Sequence, residues 1–139
     1  MNKATGARWL VVDGDTDVLD TVALLLAAVS DAEICQFPSP SQALEAIAAA
    51  PETFQLVVTD YEMRGMNGID FRQQVQSMAP NAQVLLVTAS GMFTEETARE
   101  NGFCGLLCKP FAIGTLKQAL ENLQGVSVNF SKTFAEPLI

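Results

Sequence analysis

The sequence predicts an α/β domain of (βα)5 form, a doubly wound five-stranded parallel sheet with helices on both faces, and two observations carry that reading. Five short apolar runs, residues 9–12, 33–37, 54–59, 83–87 and 105–108, have the length and composition of buried strands. Between them, apolar residues recur at helical spacing. A right-handed crossover helix returns the chain in the same direction after each strand, so this succession builds a parallel sheet covered on both sides.

In chain order, the first helix is marked by Val18, Val22, Leu25, Leu26 and Val29, and the second by Leu44 and Ile47. Phe71, Val75 and Met78 mark the third, with Asn67 as its N-cap. Thr94, followed by Glu95 and Glu96, caps a short fourth helix that Gly102 ends. Ile113, Leu116, Leu120 and Leu123 form the apolar stripe of the last one. Residues 1–124 read as one domain and 125–139 as a tail or the start of a linker. The tail alternates Val126, Val128 and Phe130, which suits an added edge strand, pairing with a second copy in a homodimer, or a free end.

With 139 residues and 49% hydrophobic content, the chain builds one core and not two. Sixteen acidic against eight basic residues give a net charge of −8, which opposes binding to nucleic acid. The longest apolar stretches fall short of the ~20 residues that span a bilayer, so no membrane association and a cytoplasmic location are expected. Three cysteines, Cys35, Cys104 and Cys108, cannot all pair and read as reduced thiols. The absence of histidine excludes Ser-His-Asp and Cys-His catalysis, argues against zinc, and means that the chain is no phosphohistidine donor.

Carboxylate, lysine and hydroxyl chemistry remains, and its bearers stand after the strands. Asp13, Gly14 and Asp15 follow the first, Asp60 the third, Thr88 the fourth and Lys109 the fifth. In an open parallel sheet these ends share one edge, where ligands bind. Carboxylates from two strand ends suit a hard cation such as Mg²⁺, and a cation with a lysine and a hydroxyl suits a phosphoryl group attacked by Asp60. Taken singly, Asp13 is as good a helix cap as a ligand and Thr88 an ordinary strand residue. Tyr61, Met63, Met66, Met92 and Phe93, around the same edge, read first as cover for the core.

The runs V-V-D at 11–13, T-D-Y-E-M-R-G-M-N-G at 59–68, V-T-A-S at 87–90 and C-K-P-F at 108–111 occur in that order. On them the chain resembles a response-regulator receiver domain of two-component signalling, in the CheY-like superfamily, over roughly residues 8–124. The resemblance implies Asp60 as phosphoacceptor, Thr88 and Lys109 as its switch partners, and Ala89 as the small neighbour that leaves room for phosphate. It implies Mg²⁺ held by Asp13, Asp60 and the Glu62 carbonyl, with a sensor histidine kinase or histidine phosphotransfer protein as donor and an output protein as target. It further implies strand order 2-1-3-4-5 and a cis peptide between Lys109 and Pro110.

Three departures stand out. Gly14 occupies the place of a usual second acid, so Asp15 must reach back to the metal or a water must take that place, which puts the Mg²⁺ affinity in question. Leu106 stands where the family carries the aromatic that follows the hydroxyl, and leucine has no polar edge to alternate between burial and solvent. Arg64 replaces a usual proline and adds a cation beside the acidic pocket. Two further functions compete with the phosphorylatable receiver. Gly14 and Leu106 favour a degenerate receiver that serves as an interaction or dimerisation module. Asp13-Gly14-Asp15 also resembles the nucleophile motif of haloacid-dehalogenase-like phosphatases, a reading that leaves the pattern around Asp60 unexplained.

Overall fold

The computed structural model describes residues 7–123 and Val126. Five strands, β1 (Arg8–Val12), β2 (Glu33–Phe37), β3 (Phe54–Thr59), β4 (Gln83–Thr88) and β5 (Gly105–Cys108), alternate with α1 (Thr16–Ala28), α2 (Pro40–Ala49), α3 (Gly68–Met78), α4 (Glu95–Glu100) and α5 (Ile113–Glu121). The sheet is parallel throughout, in the order β2-β1-β3-β4-β5. Fold class and strand order are therefore as expected, and each strand lies within one residue of its expected span. Thr88 differs slightly: it closes β4 instead of following it.

Period-two alternation divides the core into two layers. Trp9, Val11, Leu56, Val58, Leu85, Val87 and Leu107 point to one side, where Leu19, Val22 and Leu26 of α1 and Leu116 and Leu120 of α5 close over them. Leu10, Val12, Val57, Val84 and Leu86 point to the other, against Ala43 and Ile47 of α2, Phe71 and Val75 of α3, and Ala98 of α4. A register shift at Arg8/Trp9 pairs Trp9 with Leu56. Phe54 accordingly joins the α2–α4 layer instead of the face its parity would give it.

The caps explain where the helices start. Asn67 Oδ1 accepts from Asp70 N–H at 2.9 Å, and Thr94 and Thr97 form a reciprocal capping box on α4. Gly102, at φ +90°, supplies the left-handed residue that ends α4. The buried stripe of α1 is Leu19, Val22, Ala23 and Leu26; Val18 and Leu25, expected in it, are half-buried at its margin. No described helix is long and apolar enough to cross a membrane. Val126 packs against the α1–α5 layer, and the expected alternation through Val128 and Phe130 lies outside the described residues.

All three cysteines are free thiols. Burial pushes the Cys104 thiol from 9.0 up to about 12, with its backbone hydrogen bond and Arg99 opposing weakly. A raised acid favours the neutral form in the fold, so this contribution to stability is complete below pH 9 and is lost as the pH rises toward about 12. Iodoacetamide at pH 8 is expected to alkylate exposed Cys108 first and to spare Cys104 until the chain unfolds. Peptide mass mapping reads the order, and early labelling of Cys104 would contradict this burial.

Candidate functional site

Three strand ends meet in one polar cluster. Main-chain bonds continue the ladder just beyond the strands: Asp13 N–H to Phe37 O at 3.3 Å, Asp60 N–H to Val12 O at 3.3 Å, and Lys109 N–H to Thr88 O at 3.0 Å. Each side chain thus leaves a fixed backbone point on the same edge. Lys109 Nζ donates to Asp13 Oδ2 at 3.0 Å and to Asp60 Oδ2 at 3.3 Å. The second oxygen of each carboxylate is also held: Asp13 Oδ1 accepts from Asp15 N–H at 2.9 Å, and Asp60 Oδ1 from Tyr61 N–H at 2.7 Å.

Only 6% of the Asp13 side chain and 14% of that of Asp60 are exposed, so their charges depend on these donors rather than on water. Burial alone would lower the pKa of Lys109, but the hydrogen bond and charge of Asp13, reinforced by Asp60, outweigh it and leave it above the ordinary 10.5. Lys109 therefore stays an ammonium at physiological pH.

Asp13, Gly14, Asp15, Asp60, Glu62 and Arg64 line an open cleft of about 790 Å³, together with Pro38, Ser39 and Met63. Asp15 borders the cleft, but its Oδ1 accepts from Asp17 N–H at 3.0 Å and Val18 N–H at 3.3 Å, which makes it the N-cap of α1. Thr88 is buried, and its Oγ1 accepts from Ser90 N–H at 3.1 Å. Ala89 and Pro110 lie beside Lys109 along a second, apolar groove bounded by α1. The Lys109–Pro110 bond is cis. Leu106 is half-buried against the α2–α4 layer.

Several contributors escaped the sequence reading. Pro38 and Ser39 directly follow β2 and share its edge, a position that could have drawn attention to them despite their lack of charge. Thr59 Oγ1 donates to Asp60 O at 2.8 Å, and Ser90 serves Thr88. Gly68 is a close-approach glycine, since a Cβ there would stand 2.6 Å from Asp60 O and 3.0 Å from Tyr61 Cα. It lets α3 press against the loop that carries Asp60.

Among the described residues, no three acidic or thiol groups are grouped to hold a metal. Asp13 and Asp60 nevertheless present two adjacent carboxylates in an open cleft. Mg²⁺ commonly uses one or two carboxylates and completes its octahedron with water and phosphate oxygens. The donor set fits that ion in a largely hydrated form.

The model of the response regulator receiver domain matches residues 9–121. The chain belongs to the response-regulator receiver family. Among its relatives, the two-component response regulator ARR14 of Arabidopsis thaliana is 31% identical over 121 residues, covering 86% of this chain and 31% of that protein. The chemotaxis protein CheY1 of Helicobacter pylori is 26% identical, over 86% of this chain and 98% of CheY1. The receiver spans about a third or less of several longer relatives, including 16% of ethylene receptor 2 from Oryza sativa subsp. japonica. Its fold matches a receiver domain protein from Clostridium thermocellum with a TM-score of 0.74 at 24% identity, over 84% of this chain and 92% of that one. The CheX–CheY–BeF3–Mg complex from Borrelia burgdorferi gives 0.69 at 18% identity, over 86% and 91%.

Two measurements probe this geometry. Gly68→Ala must displace the Asp60 main chain and is expected to cost about 1–3 kcal/mol in urea unfolding, as overpacking does. Gly114→Ala, where a Cβ meets nothing within 4 Å, is the tolerated control. In an NMR titration the Lys109 ammonium is expected to keep its proton past 10.5. A raised base stabilises the fold fully below its unfolded pKa of 10.5 and loses that contribution as the pH rises through the folded value. A midpoint below 10.5 would show that burial, not the carboxylates, governs Lys109.

Proposed function

We propose that this receiver accepts a phosphoryl group on Asp60 and signals by conformational change. The supporting observation is the shared ammonium: Lys109 lies 3.0 Å from Asp13 and 3.3 Å from Asp60 at the strand edge. The donor is the phosphohistidine of a sensor histidine kinase or of a histidine phosphotransfer protein, and the recipient of the signal is an output protein. In the transfer, an Asp60 carboxylate oxygen bonds to phosphorus as the phosphorus–nitrogen bond breaks. The imidazole leaves with that electron pair and takes a proton from solvent. An ionised carboxylate is already a nucleophile, so no general base is required.

Asp13 and Asp60, with Glu62 at the rim, would hold Mg²⁺, which neutralises charge on the transferring group when bound. The complex of Borrelia burgdorferi CheY with BeF3 and Mg is consistent with this chemistry. Lys109 supplies a second positive charge within reach of the acceptor, and the Thr88 hydroxyl, which accepts from Ser90 N–H, donates its own proton to a phosphoryl oxygen. Ala89 leaves the approach open. The receiver turns over no outside substrate in this reading beyond its own phosphorylation and dephosphorylation.

A specific observation favours a second reading, a degenerate receiver that binds partners or another copy without phosphorylation. Asp15 caps α1, so the acid nearest the place of the family's usual second ligand is committed elsewhere. Acetyl phosphate with Mg²⁺ separates the two, with intact mass read for wild type, Asp60→Asn and Asp13→Asn. One added phosphoryl group is expected in wild type, none in Asp60→Asn, and a slower gain in Asp13→Asn. No addition at any Mg²⁺ concentration would sink the acceptor reading in favour of the second.

A further inference from the structure

We propose that Tyr61 and Phe93 carry the phosphorylation state of Asp60 to the loop between β4 and α4, an inference that rests on Asp60 being the acceptor. Tyr61 touches the acceptor through its main chain, with its N–H 2.7 Å from Asp60 Oδ1. Its ring meets that of Phe93 edge-on, with centroids 5.0 Å apart and planes at 60°. Phe93 immediately precedes Thr94, the N-cap of α4. One residue therefore binds the acceptor oxygen at one end and the entrance of α4 at the other.

The near end of the same loop is tied to the site as well. Thr88 Oγ1 accepts from Ser90 N–H at 3.1 Å, and Ser90 Oγ accepts from Met92 N–H at 3.1 Å. Residues 89–93 thus hang between two attachments, Thr88 on one side and Tyr61 on the other. Both respond to a phosphoryl group. Forming the acyl phosphate replaces the carboxylate's charge with a neutral carbonyl and a bridging oxygen, so Asp60 becomes a poorer acceptor for Tyr61 N–H, which is freed toward the charged phosphoryl oxygens. Thr88, drawn to donate its hydroxyl proton to the same group, pulls on the Ser90 N–H that it accepts. Edge-to-face pairs depend on distance and angle, so a main-chain shift at Tyr61 alters the Phe93 contact.

Leu106 gives this route its importance. It is aliphatic and packed against the α2–α4 layer, with no polar edge to expose. Met92, 61% exposed and adjacent to Phe93, is the apolar surface that moves with the loop.

Tyr61 is the chain's single tyrosine, so 3-fluorotyrosine labelling gives one ¹⁹F resonance. Met92 is followed by its ¹³C-methyl signal, identified with Met92→Leu. Acetyl phosphate and Mg²⁺ are added to the full chain, and intact mass is read on the same sample. Phosphorylation is expected to shift both resonances in wild type. In Phe93→Leu, which keeps apolar volume but removes the ring, the mass gain and the Tyr61 shift persist while the Met92 shift falls to the part that Thr88 and Ser90 transmit. Phe93→Trp restores it. Removing the pair should change the ratio of loop states by roughly three- to tenfold. A phosphorylated chain whose Tyr61 resonance stays still, or a Met92 shift unchanged in Phe93→Leu, overturns the proposal. Absence of any mass gain overturns the acceptor reading itself, and the relay with it.

Discussion

The site depends on one ammonium between two carboxylates. A parallel sheet delivers every strand end to the same edge, so Asp13 and Asp60 are brought together by topology, whatever their charge. Two like charges 4 Å apart at an effective dielectric of ~20 repel by about 4 kcal/mol. A domain whose whole stability is about 5–15 kcal/mol does not leave such a term uncompensated. Lys109, reaching from β5 across β4, supplies the cation, while the main-chain donors Asp15 and Tyr61 take the outer oxygens. One ammonium offsets half of the charge of the two carboxylates and leaves the edge open, since the cleft beside it is exposed to solvent.

The chain's departures from its family then have physical consequences. Gly14 has no side chain to offer, and the next acid, Asp15, has two α1 amide donors within 3.3 Å. Such a cap contributes about 1 kcal/mol to the helix, and turning the carboxylate toward the cleft would forfeit it. In the proposed function, a cation in this cleft would find the carboxylates of Asp13 and Asp60 but not that of Asp15, and other oxygens would complete its shell. Arg64, at the rim, adds positive charge where the acidic residues are densest.

Much of this was legible in the sequence because it followed from short-range rules. Strands appeared as apolar runs with polar ends, and Asp13, Asp60 and Lys109 were visible because each directly follows one. The face of α1 was harder. The expected stripe rightly left out Leu24, which is 71% exposed, but packing centres the face on Leu19, Val22, Ala23 and Leu26 and leaves Val18 and Leu25 half-buried at its margin. Asp15 was ambiguous, since an acid between a strand and a helix serves a cleft or a cap equally well. Ser39 carries no charge to mark it. The approach of Gly68 to Asp60 O depends on how α3 docks, which no local pattern encodes.

The Tyr61–Phe93 contact was the least legible of all. The two rings are 32 positions apart, in loops whose course is set by the strands beneath them, and apolar loop residues usually do no more than cover a core. Their meaning comes from what lies at each end. A ring pair between two inert loops would be cover, whereas this one joins a main-chain donor on the Asp60 carboxylate to the first residues of a helix. α4 is only six residues long, and its buried residue is Ala98. So short a helix contributes little apolar burial to resist a change at its N-terminus.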